Sequence, residues 1–180
     1  RMVEIISSDG TSIIPIGFDA TSRGHNLIVI SPNMISLDGI WDEVGGSLNN
    51  GMRHHETFDT YGSNTHDTAI ISQDALANIL NGSTSLQDGS KIDEGDIVIV
   101  TSEDAVGYNT ALEDALKNCG ATNPTGVDGG AGATYTELAR TPYALVGIKG
   151  IGEKNGYEQV TDNGFDTPPA QITSYYYKRT

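Results

Sequence analysis

Few residues in this chain are of types that do chemistry, and their spacing limits what each can do. His54 and His55 are adjacent, with His66 further on. Neighbours on an extended strand project to opposite faces, so the pair is not expected to share one ion, and no metal site is expected. Asp38, Asp42 and Glu43, and again Asp93, Glu94 and Asp96, carry oxygens of the kind calcium takes. Neither group has EF-hand spacing, so solvated acidic turns are the expectation. Cys119 is the single cysteine, which excludes an internal disulfide, and it falls on an apolar helical stripe as a buried structural thiol. A nucleophile triad is not expected, because no Gly-x-Ser-x-Gly elbow is present. Gly129-Gly130-Ala131-Gly132-Ala133-Thr134 lacks the Gly-Lys-Ser/Thr ending of a phosphate cradle and reads as a flexible loop. These residues add up to no catalytic set, no enzyme and no cofactor; a binding or structural role is the default.

The elements that must position these groups centre on Asp96 to Gly120. Ile97-Val98-Ile99-Val100 is a short β-branched run, the mark of a central strand covered on both faces. Ser102-Glu103-Asp104 reads as an acidic turn after it. Thr110-Ala111-Leu112-Glu113 then opens a helix with a capping box. Ala111, Leu112, Ala115, Leu116 and Cys119 form its apolar stripe, and Gly120 stops it. Asn26 to Ile30, ended by Pro32, and Tyr143 to Ile148 are two more buried strands. Met2 to Ile6 and Ser12 to Ile16 read as a hairpin across Ser8-Asp9-Gly10 or equally as a leading edge of the sheet, and His54 to Phe58 is a further strand. Asp67 to Leu80 is an amphipathic helix, with Ile71, Ala75 and Ile79 at four-residue spacing beside Ala69, Leu76 and Leu80. Asn81-Gly82-Ser83 ends it and forms a glycosylation sequon. Asn33 to Met52 is a long loop around Trp41, which either stacks on a ligand or pins the loop to the body or a neighbouring subunit. Ile151 to Pro169 reads as irregular, and Gln171 to Lys178, around Tyr175-Tyr176-Tyr177, as an edge strand or contact surface. The expected class is α/β, with two amphipathic helices packed on mixed or antiparallel sheets.

The totals suit one domain spanning 1–180, since 180 residues with 37% apolar and 19% charged content allow a real core. Within it lie a core over 21–150, an N-terminal hairpin over 2–16 and a C-terminal extension over 151–180. A net charge of −14 repels phosphate backbones and anionic lipid, so nucleic acid and membrane partners are disfavoured. No apolar run reaches the roughly 18 residues of a membrane span. Arg1 precedes Met2 and no leader is visible, consistent with an upstream region.

Several separated pieces, in order, resemble the interleukin-like EMT inducer (ILEI/PANDER) family. They are Arg23-Gly24-His25-Asn26; Phe58-Asp59-Thr60-Tyr61; Glu94-Gly95-Asp96-Ile97-Val98; Asp104; the helix ending at Cys119-Gly120; Leu138-Ala139-Arg140-Thr141-Pro142-Tyr143; and the following Ala144 to Gly150. The resemblance covers about Thr21 to Gly150 and implies a compact β-sandwich-like domain with helices on its sheets. It also implies a lectin-like, carbohydrate-binding module, with N-acetylglucosamine-containing glycans as the ligand class. Carried over by residue, the glycan-binding candidates are Asp59 and Arg140, with Tyr143 standing where the family has Trp. Trp41 joins them as an aromatic face. Such types suit sugar, because carboxylate accepts from hydroxyls, guanidinium donates and a ring covers C–H groups. Asp59 and Arg140 equally suit a structural ion pair or cap. The missing cysteine pairs and the long 33–52 loop point to a microbial or viral relative. The functional expectation is therefore a glycan-binding module of a surface, fibre or tail protein, extracellular or on a virion, within a homo-oligomeric or larger assembly. The alternative is an assembly domain that buries its Trp41 loop and Tyr-rich C-terminus against neighbouring copies.

Overall fold

A computed structural model describes residues 2–6, 12–17, 23–32, 52–61, 67–103, 105–125, 136–139, 142–160, 170 and 172. Its elements are β1 (Met2–Ile6), β2 (Ser12–Gly17), β3 (Gly24–Ile30), β4 (Met52–Phe58), α1 (Asp67–Leu80), β5 (Ile97–Glu103), β6 (Ala105–Tyr108), α2 (Thr110–Asn118), β7 (Thr136–Ala139), β8 (Tyr143–Ile148) and β9 (Tyr157–Val160). The class is α/β: two helices and an antiparallel sheet of order β4-β3-β5-β8-β9, together with two-stranded ribbons β1–β2 and β6–β7. β5 is the middle strand of the five, as its apolar run implies.

Register explains why the inner strands read as unbroken apolar runs. Leu27 pairs with Val100 and Val29 with Val98, while Val100 faces Leu145 on the next strand. These side chains share the face that packs with Leu76, Leu80, Leu112 and Leu116 of the helices. The intervening Ile28, Ile30 and Ile99 point the other way and are buried as well.

Both helices occupy the expected spans with altered details. α2 is capped by Asn109, whose side chain accepts from Leu112 N–H at 2.9 Å, in place of a Thr110 capping box. Glu113 turns instead to Lys117 one turn on, at 2.6 Å. Ala111 is exposed, so the stripe starts at Leu112. On α1, Ile71 is 65% exposed, and Gln73, Leu76, Ala77, Ile79 and Leu80 form the inner face.

Three strands arise where none was expected. β6 follows β5 closely, and its pairing with the distant β7 makes it a strand. β9 lies within the stretch read as irregular; Tyr157-Glu158-Gln159-Val160 is weakly patterned, and pairing with β8 orders it. The Ser8–Gly10 turn, the loop around Trp41, the Gly129–Thr134 run, His66 and the Tyr175–Tyr177 stretch lie outside the described residues.

The end of α2 is docked by backbone. The carbonyls of Asn118, Cys119, Gly120 and Ala121 accept from the N–H groups of Gly152, Ile148, Gly156 and Lys154 at 2.9–3.3 Å. The last carbonyl of the helix and those of the three residues that leave it are satisfied in this way, while the Ala115, Leu116 and Lys117 carbonyls accept from Cys119, Ala121 and Gly120 N–H groups. Close approach is allowed by Gly147, where a Cβ would overlap the Cys119 carbonyl.

Candidate functional site

Where β3 begins and β4 ends, two of the chain's separated pieces become one unit. His25 pairs with Phe58, which brings Arg23-Gly24-His25 alongside Phe58-Asp59-Thr60-Tyr61. Gly24 makes this contact possible: its φ is +103°, and a Cβ there would overlap the Phe58 carbonyl oxygen. Arg23 Nη2 donates to Asp59 Oδ2 at 3.0 Å, and the guanidinium lies 5.4 Å from the centroid of the Tyr61 ring. The Arg23 and Asp59 side chains are 49% and 56% exposed, so this pair is presented to solvent. Guanidinium donors, carboxylate acceptors and a ring in one place can hold a polyhydroxylated ligand.

Beneath that surface the turn is fixed by buried polar groups. Thr60 is fully buried, and its hydroxyl lies 2.8 Å from His25 Nδ1. Its N–H donates to the Phe58 carbonyl and its C=O accepts from Gln73 Nε2 of α1, both at 2.8 Å. Burial pushes the His25 imidazole down to about 3, so the ring is neutral.

Tyr143 does not join the surface set. Its register puts it on the helix-facing side of β8, 2% exposed, with its ring edge-on to His25 and Tyr108 at centroid distances of 6.2 and 6.3 Å. Its hydroxyl donates to Glu158 Oε1 at 2.9 Å, while Glu158 Oε2 accepts from the N–H groups of Thr122 and Asn123. Tyr143 is thus a core residue, and the expectation of a sugar-facing ring there is corrected: strand alternation turns it inward. Asp59 is exposed as a ligand contact requires. Arg140 and Trp41 lie outside the described residues. Arg23, Tyr61 and Thr60 were not singled out as candidates. Their signal was the pairing of two short pieces, which no spacing along the chain reveals.

The acidic stretch before β5 is only in part a solvated turn: Asp93 and Glu94 are exposed, while Asp96 is buried. Arg53 of β4, 5% exposed, sends Nε to Asp88 at 3.1 Å and Nη1 to Asp93 at 2.9 Å and to Asp96; Nη2 bonds Ser90 and the Lys91 carbonyl. Asp96 is itself 2% exposed, and its desolvation raises its pKa against the pull of Arg53. The single charge of Arg53 therefore offsets part of the negative charge of these three carboxylates. Next to it, Gln87 Oε1 accepts from His55 N–H at 2.9 Å and Nε2 donates to His55 C=O at 2.8 Å, so one amide takes the place of a neighbouring strand.

The remaining titratable candidates also have structural posts. His54 is buried and accepts from Gln87 N–H at Nδ1, while His55 is on the opposite face, as adjacent strand residues must be. Nε2 of His54 lies 3.1 Å from Glu56 Oε2 without the direction of a hydrogen bond. The Cys119 thiol is buried in the core and pushed up to about 12 by desolvation. Among the described residues no group of three His, Cys, Asp or Glu is arranged to hold a metal ion, and no helix is long and apolar enough to cross a membrane.

The core and this exposed turn define an α/β domain that presents a polar and aromatic surface on a rigid base. No protein-family model matches the chain, and no curated protein matches it.

Proposed function

We propose that the domain is a non-catalytic carbohydrate-binding module, lectin-like in its use of an ion pair and an aromatic ring, and that the Arg23–Asp59–Tyr61 turn contacts the sugar. The observation that carries this reading is the exposed guanidinium held at once on Asp59, at 3.0 Å, and over the Tyr61 ring, at 5.4 Å. Such an arrangement offers fixed donors and acceptors to hydroxyl or acetamido groups. The ordered resemblance to the ILEI/PANDER family supports it, because two of the resembling pieces form this turn. Arg140 and Trp41 belong to the same proposal as glycan-binding candidates that the family resemblance and residue type suggest. Single-site affinity in such a shallow exposed place is modest, and a surface, fibre or tail protein carrying many copies supplies avidity.

A glycan array probed with the multimerised domain tests the reading, with N-acetylglucosamine-terminated glycans and their polymers as the expected hits. Asp59→Ala and Arg23→Met should each weaken binding at least about tenfold, the loss of one charge-assisted hydrogen bond. A folded, multimerised domain that binds no glycan on the array overturns the proposal and makes assembly with neighbouring copies the next reading.

A further inference from the structure

Resting on that reading, we infer that Thr60 is the positioning residue of the surface, setting Arg23, Asp59 and Tyr61 in place through its own buried hydroxyl. Thr60 sits between Asp59 and Tyr61 in sequence, yet it is fully buried while Asp59 is exposed. All three of its polar groups are engaged: hydroxyl to His25 on β3, N–H to Phe58 on β4, C=O to Gln73 on α1. The turn is therefore tied to two strands and a helix at one residue. Before that anchor Asp59 is exposed and after it Tyr61 is half-buried, and Arg23 reaches the turn from two residues before His25. The imidazole that meets the hydroxyl is also packed, with its ring 4.9 Å from that of Tyr108. It cannot follow a shift of the turn without displacing the core. A fixed Thr60 hydroxyl thereby fixes the separation between β3's entry and β4's exit, which is the separation Arg23 spans to reach Asp59 and Tyr61. Preorganisation of this kind removes an ordering cost that binding would otherwise carry.

The test compares Thr60→Val, which keeps shape and removes the hydroxyl, with Thr60→Ser, which keeps the hydroxyl. The ligand-independent readout is the ring-current shift of the Arg23 side-chain NMR signals beneath Tyr61; the second readout is affinity for N-acetylglucosamine oligomers. Expected is loss of the Arg23 shift and about tenfold weaker binding in Thr60→Val, with both restored to within about twofold in Thr60→Ser. An unchanged Arg23 shift in folded Thr60→Val overturns the inference, as does a Thr60→Ser protein that behaves like Thr60→Val. A shift lost in Thr60→Val while the unaltered domain binds no oligomer supports the positioning role and removes the glycan reading. Should Thr60→Val not fold, Thr60→Ala removes the same hydroxyl without adding bulk; it should lose the same Arg23 shift, and persistence of the shift there overturns the inference.

Discussion

His25 and Arg53 are both ionisable and both enclosed, and the protein handles them in opposite ways. Arg53 keeps its charge because three carboxylates meet it; removing it leaves Asp96 buried without a counter-charge, a loss of about 3–5 kcal/mol. Among the described residues, His25 meets a neutral hydroxyl and two phenol rings where Arg53 meets carboxylates, so it surrenders its charge. The folded ring resists protonation down to about 3, whereas the unfolded one takes a proton near 6.5. Below 6.5 the unfolded chain binds more protons, so stability is complete above that pH and is lost as the pH falls towards about 3. Over the whole interval the loss is on the order of 5 kcal/mol. His54, held down to about 4 by burial, contributes in the same direction. Urea unfolding between pH 6.5 and about 5, above the range where carboxylates titrate, should show this slope. His25→Gln should make it shallower whatever that variant's absolute stability; an unchanged slope would show that other groups carry it.

At the scale of elements, the docking of α2 onto β8 depends on one missing methyl group. A side chain at position 147 meets the Cys119 carbonyl oxygen, which is fixed by the Ile148 N–H. Gly147→Ala should therefore destabilise the domain by about 3 kcal/mol, read as a lower urea midpoint with an unchanged slope. The strands that frame this contact were legible in the sequence. Asn26 to Ile30, Ile97 to Val100 and Tyr143 to Ile148 are buried or half-buried on both faces, which a near-continuous apolar run satisfies. β6, β7 and β9 were hidden because pairing with distant partners makes them strands, and Tyr157-Glu158-Gln159-Val160 carries no such run. The helices were legible by period, but Ile71 and Ala111 show the limit: apolar residues at helical spacing can lie outside the buried stripe. Asn109 was overlooked as the cap because Thr110 and Glu113 match a capping box one residue later.

At the scale of the molecule, charge of one sign predominates. A net charge of −14 makes self-repulsion a standing cost to the compact state. Raising sodium chloride from about 0.02 to about 0.5 M shortens the screening length and should raise the melting temperature. A fall would mean that exposed pairs such as Arg23–Asp59 outweigh the repulsion. The candidate surface was half legible for a related reason. Asp59 stood out through resemblance, whereas Arg23 and Tyr61 gain meaning only when β3 and β4 lie side by side, 36 positions separating the ion-paired residues. Arg53 was illegible for the same cause, its acids lying 35–43 residues further along.

Gln87 has a consequence for how such domains live together. The rim of a sheet is where one chain can be spliced onto another, and here the outermost strand is already met, at His55, by an amide of its own chain. A neighbour arriving edge-on finds that splice point plugged. Copies crowded shoulder to shoulder, as the proposed multivalent display would require, are thus kept from knitting into one continuous sheet at that position.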